Sequence, residues 1–164
     1  MHLDKLDHID LKILQILQSQ ARIKRKDLAE IVHLTIPAVS ERMRKMEDEG
    51  YVAKYTAILN AKKVNLGVAA FIFVDVESSS HYNAVIQQAL KYDEILECHA
   101  ITGSGSHLLK VRTVNVDHLE KLLVVIQAWE GVKHTKTNLI LSSPKETTEV
   151  TLKHLEEEIT KNNK

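Results

Sequence analysis

The sequence predicts an α+β chain in two parts, an N-terminal helix-turn-helix domain and a C-terminal ferredoxin-like βαββαβ domain. Three observations carry that prediction. Arg22–Gly50 (RIKRKDLAEIVHLTIPAVSERMRKMEDEG) holds two short helical patterns separated by the brief link His33-Leu34. From residue 68 to 141, strand-type and helix-type periodicity follow one another in the order β-α-β-β-α-β. The first of those strands, VAAFIFVDV at 68–76, is apolar on both of its faces. The predicted divisions are 1–50 for the helix-turn-helix domain, 51–66 for a strand and linker, 67–142 for the ferredoxin-like domain, and 143–164 for a final helix and tail.

Each element has its own signal. Ile9, Ile13, Leu14, Ile16 and Leu17 fall on one face of a helix over 7–18, with Leu6 just before it. Asp7 is the natural N-cap, and Asp10 places negative charge in the first turn, where the helix dipole favours it. A second helix, about 25–32, buries Leu28, Ala29 and one of Ile31 or Val32, and small Ala29 lets the next helix approach. Thr35 caps a third helix with Pro37 in its tolerant first turn, and Gly50 closes it where positive φ is cheapest. Val39, Met43 and Met46 face inward on that helix, and Arg42, Arg44 and Lys45 are predicted to face outward.

YVAKYTAILN (51–60) alternates and is β-prone, so a strand leaving the first domain is expected there. After the strand at 68–76, Tyr82, Val85, Ile86, Ala89 and Leu90 stripe a helix. EILECHAIT (94–102) and HLLKVRTV (107–114) form a hairpin through Gly103-Ser104-Gly105-Ser106. Leu119, Leu122, Leu123 and Ile126 stripe a second helix, Gly131 introduces a last strand over 132–141, and Pro144 ends the domain. Val150, Leu152, Leu155 and Ile159 mark a final helix over 146–161.

Composition narrows the class of partner. The chain has 164 residues, 22 basic and 22 acidic, so its formal charge is zero. A non-specific DNA coat needs a large positive excess, whereas specific-site binding needs only a local basic strip. Arg22, Lys24, Arg25 and Lys26 supply one cluster, and Arg42, Arg44 and Lys45 another. The single cysteine, Cys98, excludes an internal disulfide framework and fits a reducing compartment. The N-terminus lacks signal-peptide character and no stretch reaches membrane-spanning length, so a cytoplasmic protein with no membrane partner is expected.

Two helices joined by a tight turn are how a protein sets one helix in the major groove of double-stranded DNA. On that reading Lys24, Arg25 and Lys26 hold phosphates, which positions the domain without reading sequence. Thr35, Pro37, Ala38, Ser40, Glu41, Arg42, Arg44 and Lys45 form the groove-facing set. Ala38, Ser40, Glu41 and Arg44 are the members placed to touch bases. In the second domain, both faces of the first strand are apolar, yet two helices can cover only one face of such a sheet. A second copy of the same sheet is the simplest cover for the other face, which predicts a homodimer.

Leu6-Asp7-His8-Ile9-Asp10, Ile13-Leu14, Arg22, Asp27-Leu28-Ala29, Leu34-Thr35, Val39, Arg42 and Gly50 resemble the signature of the Lrp/AsnC, or feast/famine, transcriptional regulators. The resemblance extends over about 140 residues, because the βαββαβ half is similar to that family's regulatory domain. It implies a regulator that reads a pseudo-palindromic operator as a dimer, with recognition helices about 34 Å apart in successive major grooves. It also implies dimers assembling into tetramers or octamers, and a small-molecule effector, an amino acid or related metabolite. The effector is expected at Thr102, Gly103, Ser104, Gly105, Ser106 and His107. Three departures stand out. Lys24 or Arg25 replaces the usual Ser cap, and His33 occupies a position usually Gly. Ser106 stands where relatives commonly carry the acidic residue that holds an effector's amino group.

Other chemistry is weakly signalled. Glu97, His99 and His107 flank the hairpin without the tight ligand set of a zinc site, so no metal is assigned. The Gly103-Ser104-Gly105 turn joins two strands, not a strand to a helix, and is not a phosphate loop, although its N–H groups suit a carboxylate. No nucleophile–base pair or paired carboxylates stand out, so no enzyme and no cofactor are expected. Two alternatives stay open: an effector-independent protein that wraps DNA, and an enzyme resembling the tetrapyrrole decarboxylases that share the fold.

Overall fold

The computed structural model describes residues 6–162. Residues 1–5 and 163–164, assigned above to the first domain and the tail, lie outside the described residues. The chain divides into two compact units. One holds the described residues up to Ile58 together with those from Lys145 on, and the other is Leu59–Pro144.

In the first unit, α1 (His8–Ser19), α2 (Arg25–Val32) and α3 (Ile36–Asp48) enclose a core of Leu6, Leu11, Ile13, Leu14, Leu17, Leu28, Ala29, Val32, Val39, Met43 and Met46. Asp7 caps α1 in a closed box. The Asp10 N–H donates to Asp7 Oδ1 at 2.8 Å, and the Asp7 N–H donates to Asp10 Oδ2 at 3.1 Å. Leu11 is fully buried although the sequence pattern passed over it. Val32, not Ile31, is the inward residue of the α2 pair.

The turn after α2 depends on His33, which sits in the left-handed region at φ 56°, ψ 42°. A non-glycine residue is strained there, and the structure offsets the strain with two backbone bonds. The His33 N–H donates to Glu30 O at 3.3 Å and the Leu34 N–H to Ala29 O at 2.9 Å. Thr35 then caps α3 through the Ala38 N–H, and Gly50 follows the helix with φ +78°.

Two expectations fail in this unit. No strand forms over 51–60, where the chain bends at 51–52 and then joins no ladder, with Tyr55, Ile58 and Leu59 exposed. A segment with no partner strand has no ladder to satisfy its backbone, so β propensity alone does not make it a strand. The last helix, α6 (Lys153–Asn162), begins seven residues later than the expected 146. The β-branched run Thr147, Thr148, Val150, Thr151 resists helix, and Gln18 of α1 holds the extended form instead. The Val150 N–H donates to Gln18 Oε1 at 2.7 Å, and Gln18 Nε2 donates to Val150 O at 3.1 Å. Leu152, Leu155 and Ile159 then pack on the core of the helical unit, so the C-terminal segment completes that unit.

The second unit has a four-stranded antiparallel sheet in the order β2-β3-β1-β4, formed by β1 (Val68–Val76), β2 (Ile95–Ala100), β3 (His107–Thr113) and β4 (Val132–Leu139). Helices α4 (Tyr82–Ala89) and α5 (Val116–Gln127) bury Val85, Ala89, Leu119, Leu122 and Ile126 against Ala70, Ile72, Val74, Leu109 and Val111. Period-2 alternation leaves Phe71 and Phe73 on the opposite face, where no helix of this unit lies over them. Gly131 turns the chain into β4 at φ +78°, and a Cβ there would run into the His81 ring, so glycine is required twice over.

Candidate nucleic-acid interface and effector pocket

Helix α3 divides its charges between two tasks. Val39, Met43 and Met46 form the buried stripe, and position 42 lies three residues after the first and four before the last, on its edge. Arg42 therefore turns toward α1, and not outward as the sequence pattern predicted. Its Nη1 donates to Asp7 Oδ2 and to Asp10 Oδ1, each at 2.7 Å, with the Asp10 side chain only 9% exposed. One nitrogen thus bridges both carboxylates of the α1 capping box. Burial pushes the Asp7 carboxyl up, but the Asp10 N–H and the Arg42 guanidinium outweigh it and hold Asp7 below its ordinary value. The Asp10 carboxylate most strongly, then Asp7, raise Arg42 against its own desolvation.

The other predicted groups of α3 do stand on the outer side. Thr35, Pro37, Glu41, Arg44 and Lys45 are exposed, and Ala38 and Ser40 are half-buried. Ile36, the first residue of α3, is 45% exposed and was not singled out by the sequence pattern. An exposed apolar side chain there suits a thymine methyl group. Arg44 is held by neighbours on its own helix. Its Nε and Nη2 donate to Glu41 at 3.1 and 2.6 Å, and its Nη1 donates to Asp48 at 2.7 Å. The Glu41 carboxylate accordingly sits below its usual range through the Arg44 hydrogen bond.

At the start of α2, Lys24 is the N-cap residue and makes no side-chain cap, as the missing serine foretold. Lys24, Arg25 and Lys26 are all exposed. Arg25 Nη1 lies 3.5 Å from Met43 Sδ, which draws it alongside α3, while Lys26 reaches Glu30 only at 3.9 Å.

In the sheet unit, Gly103, Ser104, Gly105 and Ser106 line a cavity of about 510 Å³. Asp75, Glu77, Ser78, Ser79 and Tyr82 complete its wall. These wall residues lie at the end of β1, in the loop after it and at the start of α4, where sequence spacing gave no sign of them. Thr102 is exposed outside that lining, and His107 is fully buried beneath it. Ser106 is buried too: its N–H donates to Val74 O at 2.9 Å and its Oγ to the same oxygen at 3.1 Å. Ser106 Oγ also meets His107 Nδ1 at 2.9 Å, and the Tyr82 ring stands edge-on to His107 with centroids 4.9 Å apart. Burial lowers the His107 pKa, which favours a neutral ring.

Glu97 and His99 pair on the other face of the sheet at 3.1 Å, so the hairpin does not gather them with His107. Among the described residues no group of three His, Cys, Asp or Glu side chains is placed to hold a metal. No helix among them is long and apolar enough to cross a membrane.

A helix-turn-helix with a basic outer strip, joined to a βαββαβ unit carrying a polar pocket, defines a DNA-binding regulator with a ligand-binding domain. Residues 6–53 match a winged helix-turn-helix DNA-binding domain and residues 69–150 the Lrp/AsnC ligand binding domain. The chain is 33% identical over 148 residues to the HTH-type transcriptional regulator FL11 of Pyrococcus furiosus, covering 90% of this chain and 97% of that one. It is 30% identical over 154 residues to the leucine-responsive regulatory protein of Salmonella typhimurium, covering 90% and 92%. A transcriptional regulator of Neisseria meningitidis, solved as a complex with L-methionine, superimposes with a TM-score of 0.88 at 31% identity, covering 92% and 99%. The chain belongs to the Lrp/AsnC family of transcriptional regulators.

The Arg42 bridge makes a stability prediction. Arg42→Ala leaves two carboxylates facing each other at the α1 cap and should lower the unfolding free energy by about 2 kcal/mol in urea titration. Because the native Asp7 pKa is depressed, its contribution is full above the unfolded value, near pH 4 (about 3.9), and is lost as pH falls through the lower native one. The stability difference between wild type and Asp7→Asn should therefore be constant near neutrality and close below about pH 4. A difference that persists unchanged into strong acid contradicts the ion pair.

Proposed function

We propose that this regulator reads its operator with the outer face of α3 while Lys24, Arg25 and Lys26 grip the phosphates beside it. The carrying observation is the division of labour on α3: Arg42 is turned inward onto Asp7 and Asp10, leaving Arg44, Lys45, Ser40 and Ala38 on the side away from the core. Arg44 is the base reader, because guanidinium donors suit guanine O6 and N7. Lys45 adds a phosphate contact.

The protein acts as a homodimer through the outer face of its sheet. Phe71 and Phe73 lie in the middle of that face, and the two helices of the unit are committed to the other. A self-complementary patch on a two-fold axis buries these rings twice for one surface. Such a pair presents two recognition helices to successive turns of the duplex. Tetramers or octamers of this dimer are the assemblies the family suggests.

The signal is a small molecule in the Gly103–Ser106 cavity, of the class of amino acids and their amines. The turn was expected to bind a carboxylate through its N–H groups, but the Ser106 N–H is committed to Val74 O. The wall instead carries Asp75 and Glu77 with several hydroxyls and no cationic side chain. That lining favours a ligand's ammonium group, so Asp75 and Glu77 take over the part an acidic residue at position 106 plays in relatives. The Neisseria neighbour's complex with L-methionine is consistent with an amino-acid ligand. Binding shifts operator affinity by favouring one arrangement or assembly of the dimers.

Three measurements check these assignments. Arg44→Ala should weaken binding to a duplex selected from a random library by about tenfold. An unchanged Kd in that variant removes Arg44 from the interface. Phe71→Lys should shift sedimentation to the monomer, and an unaltered dimer places the interface elsewhere. A thermal-shift screen of amino acids and amines should find a compound raising Tm by about 5 °C at 100-fold excess over its Kd, an effect that Asp75→Asn/Glu77→Gln abolishes. Stabilisation that survives that double variant places the ligand elsewhere.

A further inference from the structure

The recognition helix is far less basic than its arginines suggest. α3 holds three cations, Arg42, Arg44 and Lys45, and three carboxylates, Glu41, Glu47 and Asp48. Arg42 is neutralised by Asp7 and Asp10, and Arg44 by Glu41 and Asp48. Glu47 accepts a hydrogen bond from the Tyr55 hydroxyl at 2.8 Å. Among the described residues, Lys45 is the cation of α3 that forms no ion pair. A helix meant to bind any phosphate would not carry two carboxylates on the exposed side of its central arginine.

The geometry around Arg44 is specific. A guanidinium has five N–H donors in a fixed plane. Glu41 takes the Nε side in a two-point contact, Nε to Oε2 at 3.1 Å and Nη2 to Oε1 at 2.6 Å. Asp48, one turn further on, takes one Nη1 hydrogen at 2.7 Å. Three donors are thus engaged, leaving one N–H on each terminal nitrogen. Two donors on neighbouring terminal nitrogens are what a guanine O6/N7 edge accepts. The spacings i−3 and i+4 put both carboxylates on the same helical face as Arg44, so the clamp is a property of the helix and forms before DNA arrives.

We propose that Glu41 and Asp48 are positioning residues for base readout, clamping Arg44 so that it meets a guanine edge and not a phosphate. This rests on the reading of Arg44 as a base contact. The clamp acts in two ways. It holds a flexible side chain in one orientation, which reduces the ordering cost of a two-point base contact. It also cancels the arginine charge against the phosphate backbone, so the helix gains little from non-specific DNA. The chain's zero formal charge has the same consequence on the scale of the whole molecule.

The test compares wild type, Glu41→Ala/Asp48→Ala and Arg44→Ala on a duplex selected by the wild-type protein from a random library. Each variant is also measured on duplexes with every guanine replaced in turn, and on a non-cognate duplex across a salt series. All three positions are exposed and alanine favours helix, so folding is preserved. The isosteric pair Glu41→Gln/Asp48→Asn repeats the test without shortening the side chains. Releasing the clamp should reduce discrimination at one guanine about tenfold. It should raise non-cognate affinity about tenfold and steepen the salt slope by about one unit, as a freed cation finds a phosphate. Arg44→Ala should lose the same guanine preference without the gain on non-cognate DNA. If Arg44→Ala loses that preference but both clamp variants keep wild-type discrimination and salt slope, the clamp has no role and the proposal falls alone. If Arg44→Ala keeps every guanine preference, Arg44 is not the reader and both readings fall.

Discussion

The placement of the recognition helix depends on one ion-paired bridge, Arg42 Nη1 to Asp7 and Asp10. Its partners are also the two halves of the α1 capping box, so one group of side chains starts the first helix and fixes the third against it. Apolar contacts among Leu11, Ile13, Val39 and Met46 provide most of the burial in this unit, but they are non-directional and tolerate sliding. The bridge is directional. It fixes α3 against α1 in the orientation that the buried stripe of Val39, Met43 and Met46 already favours.

From that constraint the functional surface follows in order. With Arg42 turned inward, Arg44 becomes the arginine on the outer side, flanked by Glu41 and Asp48, and Arg25 is drawn toward α3 by its contact with Met43. The left-handed His33 closes the turn that brings Thr35 and the start of α3 to the surface. The helical unit therefore owes the arrangement of its outer charged groups to local polar geometry laid over an ordinary apolar core. The sheet unit works differently. Its inner face is filled by α4 and α5, while Phe71 and Phe73 stand on the opposite face and the Asp75–Ser106 cavity opens at the end of the sheet.

Much of this was legible in the sequence, and the failures have physical causes. Among the described residues, caps, turn residues and periodicity located the six α-helices and the four strands of the sheet, though not the short 3-10 turns at Ala61–Val64 and Ser79–His81, because Asp7, Thr35, Gly50 and the 3.6 and 2.0 periods act locally. Residues 51–60 read as a strand because propensity reports side-chain fit to a sheet and not the presence of a partner strand. The early start expected for α6 ignored what Gln18, more than a hundred residues away, offers the Val150 backbone. Arg42 misled for a related reason. A charged residue beside a buried stripe looks solvent-facing until its counter-charges, here 32 and 35 residues earlier, are brought to it. The cavity was half legible: the glycine-rich turn announced itself, whereas Asp75 and Glu77 at the end of β1 and Tyr82 at the start of α4 reach it only through the tertiary fold.

The most direct test of this account follows the arginine side chains themselves. In the NMR spectrum of the full chain, the Nε–H resonances of Arg42 and Arg44 are assigned by substitution and followed as a selected duplex is added. The Arg44 resonance should move by a large step while that of Arg42 stays at its free position, still bridged to Asp7 and Asp10. A large shift at Arg42 with Arg44 unmoved would contradict the inward bridge and, with it, the face of α3 assigned to DNA.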